Sequence, residues 1–599
     1  MKIVCLIKQV PRGDAIEFDE ETKSLKREGV PLELNLFDAW AVAHAARLRE
    51  AVGGEVVAMT MGPPQAEEAL RLALALGADR CVHLSDRVFA VADTLGTSRT
   101  LALALRRERP DVVLCGRKTL DSETWQVPPE VAGFLGWPQL TSVATLEPAG
   151  ERLRAWREGV ETDELCEVEL PAVCSVARPP TGFEMPAPLA SADGRIAVWT
   201  GADLVPDVQP GDRRFGQPGS PTRVLAVRDV TPERERRRVS SGAAAAEQVR
   251  ELLVERAPAA SAWEKPERLG EKPGRSYDCW SLVELVDGRP ARVSLELLAK
   301  GRELAGKLGG RNVALVLGDD VAGAAEICLG TGAEAVVLVE DEAFDPYDSE
   351  VWAAALQQVL VRERPHALLI PATVRGRDYG PRAAGELELG MTGDCVDLNI
   401  DRAGRLIQHK PAYGGNIVSV IMGRTTPQLA TVRPRMFEPL SPRDGADAEV
   451  RRFELEPLPR PRTRLLERGA DERSFELDGA PIVVAVGAGV GDSAAVEEIA
   501  RLGAAIGAVV GGDREAAAAG LVPESLRLGL VGRAVAPRLY VAVETVPDFE
   551  HLTGAVKADV IVALSRKPDS PLFDAADVSC SGDWREILPA LVDGLSGAL

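Results

Sequence analysis

Arg107–Gly116 reads RERPDVVLCG, and Arg362–Ala372 reads RERPHALLIPA. One element is written twice: a charged turn, a proline and a buried apolar strand. Pro110 and Pro365 stand 255 positions apart, and Gly77 and Gly332 repeat that offset. Two separated features with one offset indicate a duplicated domain. Outward from the first copy, strands (KIVCLIKQV, EVVAMTMG, RCVHL) alternate with amphipathic helices (FDAWAVAHAARLREAVG, AEEALRLALALGA) that stop at glycine. From Tyr277 the second copy runs YDCWSLVEL, NVALVLG and AGAAEICLGTGAEAVVLV. This order predicts parallel sheets covered by helices, with ligands at the C-terminal strand ends. Two homologous α/β domains in one chain are expected to pack about a pseudo-two-fold axis, forming a base.

A third α/β domain follows. PIVVAVGAGVGDS carries an apolar strand into Gly487, Gly489 and Gly491, and the chain continues through VGGDREAAAAG, LGLVGRAVAP and FEHLTG to SCSGD. A strand that breaks into glycines before a helix brings bare backbone N–H groups up to a phosphate. The expected division is a first domain with a C-terminal arm at 1–257, a linker at 258–275, a second domain at 276–445, a hinge at 446–478 and a Rossmann-like domain at 479–599. The linker PAASAWEKPERLGEKPG and the hinge EPLPRPRTRLLERG are marked by proline, glycine and charge. RPPTGFEMPAPLASADG reads as an exposed loop.

Bulk composition narrows the function. At 599 residues and 45% apolar content the chain is long enough for three or four cores. Formal charge of −21 argues against nucleic acid or an anionic membrane as partner. No apolar run approaches the ~20 residues of a membrane span, so no integral membrane segment is expected. Nine scattered cysteines without a CxxC pair read as reduced thiols of a cytoplasmic protein, and five dispersed histidines give no metal site.

The residues carry a family resemblance. MKIVCLIKQVP, EGVPLELNLFDAWAV, LDSETWQVPPEVAGFLGWPQ and GSPTRVLAVRDVTPERERR resemble the beta subunit of electron-transfer flavoproteins. VSLELLAKGRELAGKLGG, GRDYGPRAAGELELGMTGDC, KPAYGGNIVSVIMGRTTPQLATVRPRMFEP and the C-terminal domain resemble the alpha subunit. The resemblance implies one chain equivalent to the family heterodimer, with FAD in the C-terminal domain. It implies an electron carrier rather than an enzyme with its own substrate, serving redox partner proteins: a dehydrogenase as donor and a quinone-reductase-like or other acceptor. A flavin-depleted nucleotide-binding or scaffold protein, and a two-flavin bifurcating variant, are the alternatives.

The resemblance also assigns residues. Gly487, Gly489, Arg514, Gly532, Arg533, His551 and Asp583 stand at family flavin positions, His551 beside the pyrimidine edge and Asp583 near the adenosine end. Several side chains depart from the pattern: Ala488 for an arginine, Leu530–Val531 for Gln-Thr, Val546 for a serine, Glu550 for a glutamine, and Ser565–Arg566–Lys567 for Asn-Lys-Asp. Asp513 replaces a serine and is expected to repel a diphosphate. In the first half, Asn35, Asp121, Thr124 and Gln126 match positions that bind AMP, or a second FAD in bifurcating members, with AMP preferred here. Trp125 and Pro128 break that pattern, and proline removes an N–H donor. Leu189, in FEMPAPLASADGR, matches the anchor of the partner-recognition loop, with Ser191, Ala192 and Asp193 in place of a basic run.

Overall fold

The computed structural model describes residues 1–13, 18–19, 24–25, 29–159, 162–230, 232–257, 261–267, 277–415, 417–444, 448–469, 477 and 479–597. The expected linker lies largely outside the described residues. The chain forms two compact units, one of residues 1–227, 260–410 and 419–470, the other of 228–259, 411–418 and 471–599.

The larger unit contains the duplicated base. Its ten-stranded sheet begins with strands in the order 196–199, 80–84, 55–61, 2–6, 112–116, 172–176, 139–149. Its seven-stranded sheet runs 449–452, 335–340, 312–318, 279–283, 367–371, 428–432, 391–395, which is the same order. The repeat extends to backbone detail. Helices Thr94–Glu108 and Ser349–Glu363 are capped at their starts by Asp93 and Asp348. Both end at an arginine in the left-handed region, Arg109 (φ 56°) and Arg364 (φ 49°), immediately before the paired prolines. Gly77 and Gly332 share φ values of 116° and 117°, which a side chain rarely adopts. The strands are valine- and leucine-rich because helices cover both faces: Val4, Val57, Val113, Leu282, Leu315 and Leu368 are fully or almost fully buried.

The halves meet through helices Val127–Leu135 and Gly376–Glu386. A Cβ on Gly385 would stand 3.2 Å from Glu130 Cα, and one on Gly133 3.1 Å from the Arg382 carbonyl, so glycine permits the close crossing. Arg382 is buried and donates to the Trp137 carbonyl (2.7 Å), Gln139 Oε1 (3.1 Å) and Glu350 Oε1 (3.1 Å). Part of the stretch expected as a hinge is built into these sheets. Glu449–Arg452 pairs in parallel with the 335–340 strand, and Thr463–Arg468 pairs antiparallel with Asp163–Glu169.

The smaller unit holds six parallel strands in the order Arg237–Val239, Val578–Ser581, Val560–Ser565, Leu539–Val543, Ile482–Val486, Val509–Gly512. The five C-terminal strands follow the doubly wound order 2-1-3-4-5, whose switch point lies between Ile482–Val486 and Leu539–Val543. The sixth strand comes from the arm assigned by sequence to the first domain. Helix Gly242–Glu255 follows it and packs on helix Trp584–Leu595, burying Ala245, Ala246, Val249, Leu252 and Leu253. Arg234 (3.0 Å) and Arg256 (2.9 Å) clamp the fully buried Asp577. A buried carboxylate needs such cations, so the arm belongs energetically to this unit.

Among the described residues no helix is long and apolar enough to cross a membrane. All nine cysteines are buried free thiols.

Candidate functional site

Two of the expected flavin residues, Gly487 and Asp583, lie just beyond strand ends at the C-terminal edge of the six-stranded sheet, with Asp513, Glu544 and Arg566 at the other strand ends. Glu544 adopts φ 53°, which turns its carbonyl across the switch point. A Cβ on Gly487 would lie 2.0 Å from that oxygen, and one on Gly489 3.0 Å from Glu544 Cβ. These glycines therefore permit backbone-to-backbone closure at the place where open α/β sheets bind ligands. The Glu544 carboxylate accepts from Arg566 N (2.7 Å) and Ser565 Oγ (3.1 Å), tying the next strand end to the same edge.

His551 sits in helix Phe549–Ala555, capped by Asp548, whose Oδ1 accepts from His551 N (2.8 Å). Its ring is buried, with Nε2 3.1 Å from Tyr540 Oη and with Nδ1 making no hydrogen bond. If the phenol donates to Nε2, one polar group is left over, the Nδ1–H. If the imidazole donates instead, both the phenolic hydrogen and the Nδ1 lone pair are left over. An unsatisfied buried group costs about 1–3 kcal/mol, so the phenol donates. Burial lowers the His551 pKa below 6.5 despite the carboxylates of Asp513 and Asp548, and burial holds the Tyr540 phenol well above 10. The site thus presents a neutral imidazole with a spare Nδ1–H. Thr545 Oγ1 and Arg527 Nε are likewise buried without a partner.

The remaining flavin residues are placed less directly. Gly532 closes a tight turn, since a Cβ there would lie 2.3 Å from the Arg527 carbonyl. Arg533 Nε donates back to the Ser525 carbonyl (3.1 Å). Arg514 is largely exposed, 3.7 Å from Asp548 and 3.9 Å from Glu550. Asp583 caps helix Trp584–Leu595 through Arg585 N (3.0 Å) and pairs with Arg566 (3.6 Å). Asp513, expected to repel a diphosphate, is buried, its carboxylate accepting from Ala516 N (2.8 Å) and Val546 N (2.9 Å).

The four residues expected at a nucleotide in the first half occupy the loop after strand Val112–Gly116 and its surroundings. Asn35 donates from Nδ2 to the Lys118 carbonyl (3.0 Å) and accepts at Oδ1 from Leu120 N (3.2 Å). Asp121 accepts from Lys8 Nζ (2.6 Å) and Thr119 Oγ1 (2.6 Å); burial would raise its pKa, but Lys8 outweighs that and holds it low. Gln126 donates to the Met391 carbonyl (3.0 Å). The Thr124 carbonyl faces Gly393, where a Cβ would come within 2.4 Å. The structure brings these four together, each against other parts of the protein.

Electron transfer flavoprotein domain models match residues 22–204 and 279–458, and the electron transfer flavoprotein FAD-binding domain matches 476–556. The chain belongs to the electron transfer flavoprotein family. The electron transfer flavoprotein subunit alpha of Thermoanaerobacterium thermosaccharolyticum is 32% identical over 319 residues, 53% of this chain and 97% of that protein. The subunit beta from the same organism is 39% identical over 241 residues, 39% of this chain and 90% of that protein. An acryloyl-CoA reductase electron transfer subunit beta of Anaerotignum propionicum is 29% identical over 355 residues, 53% of this chain and 95% of that protein. This electron transfer flavoprotein therefore joins in one chain what relatives carry as two subunits. Its FAD-binding domain includes Gly487, Gly489, Arg514, Gly532, Arg533 and His551, whereas Asp583 lies beyond the matched residues.

Sequence reasoning missed Tyr540, Thr545 and Arg527 in the flavin domain. Tyr540 is the one polar side chain in the strand LYVAV, and that was the available signal. Nothing local marks Thr545. Lys118, Glu123, Arg377, Lys410 and Arg433, which surround Trp125 or the backbone of its loop, were also missed because they come together from four separate segments.

Proposed function

We propose that this chain is a single-chain electron carrier that takes electrons from a dehydrogenase onto FAD in the 471–599 domain and passes them to a quinone-reductase-like or other acceptor. The observation that carries the reading is the switch-point edge with its partnerless buried groups, His551 Nδ1 and Thr545 Oγ1, inside a matched FAD-binding domain. These groups suit a polar, planar ligand, since most buried donors and acceptors are paired. Bound FAD would supply one- and two-electron chemistry. Gly487 and Gly489 would let backbone approach it. The His551 Nδ1–H would hydrogen-bond the flavin pyrimidine edge, where negative charge grows on reduction, without adding a full positive charge. Arg514 and Asp583 lie on the same edge for the rest of the cofactor. The arm at 183–195 is the proposed docking loop; Met185 is exposed on it, while Leu189 is half-buried with its N–H on the Arg71 carbonyl (3.4 Å). The nine buried thiols suit a reducing compartment such as the cytoplasm.

The test is the visible spectrum of the purified chain with a flavin count. A yellow protein with about one FAD per chain, reduced by a dehydrogenase and reoxidised by an acceptor, is expected. A colourless protein that cannot be reconstituted with FAD would overturn the reading in favour of a scaffold.

A further inference from the structure

We propose that the first half of the chain binds no nucleotide because its own loop fills the place: the Glu123 carboxylate serves as the anion and the Trp125 indole as the planar ring. The argument begins with the helix that would receive a phosphate. A helix N-terminus binds anions through its first free N–H groups. In helix Val127–Leu135 two of the first three positions are Pro128 and Pro129, which have no N–H, and Glu130 N–H is given to the Gln126 carbonyl (3.0 Å).

The cations of the region are directed elsewhere. Glu123 is 1% exposed and adopts φ 44°, a conformation that costs a non-glycine residue energy. Its carboxylate takes Lys118 Nζ at 3.0 Å and Arg433 Nη2 at 3.3 Å, and its carbonyl takes Lys410 Nζ at 3.3 Å. Trp125, at φ 62°, is enclosed by cations: the Arg377 guanidinium 4.5 Å from the ring centroid, Arg117 at 5.0 Å and Lys118 at 5.6 Å. A second carboxylate, Asp394, holds Arg377 (2.8 Å) and Arg433 (3.1 Å). Asp394 also has a left-handed φ of 58°, but Ser142, on the matching strand of the first half, has φ 57°, so that turn belongs to the repeat. The turns at Glu123 and Trp125 belong to the loop alone. In the second half, strand Ala367–Pro371 reaches helix Gly376–Glu386 through Ala372–Arg375 only. The ten-residue loop at 117–126 is thus an addition to the repeated fold, and what it encloses is its own side chains.

The consequence is a chain with one cofactor position, which rests on the flavin reading above and excludes the two-flavin bifurcating variant. The experiment is a nucleotide count on the denatured full-length protein, with FAD measured separately by its own absorbance, so that failure of the flavin reading and failure of this one are seen apart. No AMP and no second flavin per chain is the expected result. One AMP per chain, or two FAD per chain, overturns the proposal, and this arm needs no variant. In a second arm, thermal unfolding is followed with added AMP or inorganic phosphate. The unaltered chain is expected to show no shift. The Glu123→Gln/Trp125→Ala variant is expected to unfold at lower temperature and to be raised again by either anion, as mass action requires of a ligand for the native state. A shift of the unaltered chain by AMP, or a folded variant that ignores both anions, counts against the proposal.

Discussion

Two strand ends in this molecule carry comparable sequence promise and end in opposite states. After Val112–Gly116 the Glu123 carboxylate is matched to Lys118 and Arg433, and the helix behind it has lost two of its first three donors to proline. After Ile482–Val486 and Leu539–Val543 the backbone closes on glycine, and buried polar atoms at His551 and Thr545 are left without partners. A buried polar group without a partner is costly, and each end has one or more: Trp125 Nε1 in the first, His551 Nδ1 and Thr545 Oγ1 in the second, so the ends differ in how the charges are matched and in what the backbone closes on. On the readings proposed above, the first end is filled by the protein's own charges and the second is left for a cofactor.

The largest effect should come from emptying the filled site. Glu123→Ala leaves Lys118 buried without its carboxylate and Arg433 with Asp394 alone, and about 3–5 kcal/mol of stability is expected to be lost from the larger unit in chemical denaturation. A loss below about 1 kcal/mol would mean that the charges are not matched as described. The converse change blocks the open site. Gly487→Ala puts a methyl where 2.0 Å separates it from the Glu544 carbonyl, so a loss of about 2 kcal/mol from the smaller unit and loss of flavin absorbance are expected. Retention of full flavin content by this variant would remove Gly487 from the cofactor edge.

Acidity should move the two units in opposite directions. His551 has a depressed pKa, so its contribution is complete above 6.5 and falls as the pH drops below that value, where the unfolded chain takes up the proton first. Glu130 is raised by burial to about 8, so its contribution is complete below 4.5 and is lost as the pH rises toward 8. Between pH 8 and pH 5 the smaller unit should weaken and the larger one strengthen, read as two thermal transitions; His551→Gln should flatten the first trend and Glu130→Gln the second. Glu123 acts at the acid extreme. Burial would raise its pKa, but Lys118 and Arg433 hold it at about 2, so its stabilisation is complete above 4.5 and lost as the pH falls through 2. The smallest effect is that of Tyr540→Phe, which removes the donor to His551 Nε2. About 1 kcal/mol, a roughly fivefold weaker hold on FAD, is expected, together with a ¹⁵N shift of the imidazole toward a mixture of tautomers. An unchanged ¹⁵N spectrum would show that Tyr540 does not set the tautomer.

Much of the fold is legible in the residues because its signals are local. Alternating strand and helix periods, the paired prolines and Gly77 with Gly332 predict two parallel sheets of one design, and the sheets share their strand order. The arm was misplaced for a physical reason: Arg237–Val239 pairs with Val578–Cys580 across more than 300 residues, and three apolar-poor residues carry no local mark of such pairing. Pro128 and Trp125 were readable as departures, but not that Glu123 would turn inward, since beside Lys118 its cations are Lys410 and Arg433, almost 300 residues or more away in sequence.

The sequence by itself determined the α/β class, the duplication and the glycine-bearing edge, because periodicity, spacing and turn chemistry are properties of neighbouring residues, and the family through its resemblance to known subunits. Only the tertiary structure decided which polar groups are satisfied. That depends on atoms brought within about 3 Å by the fold: it gives Glu123 its lysine and arginine, turns Asp513 inward, and leaves His551 Nδ1 without a hydrogen bond.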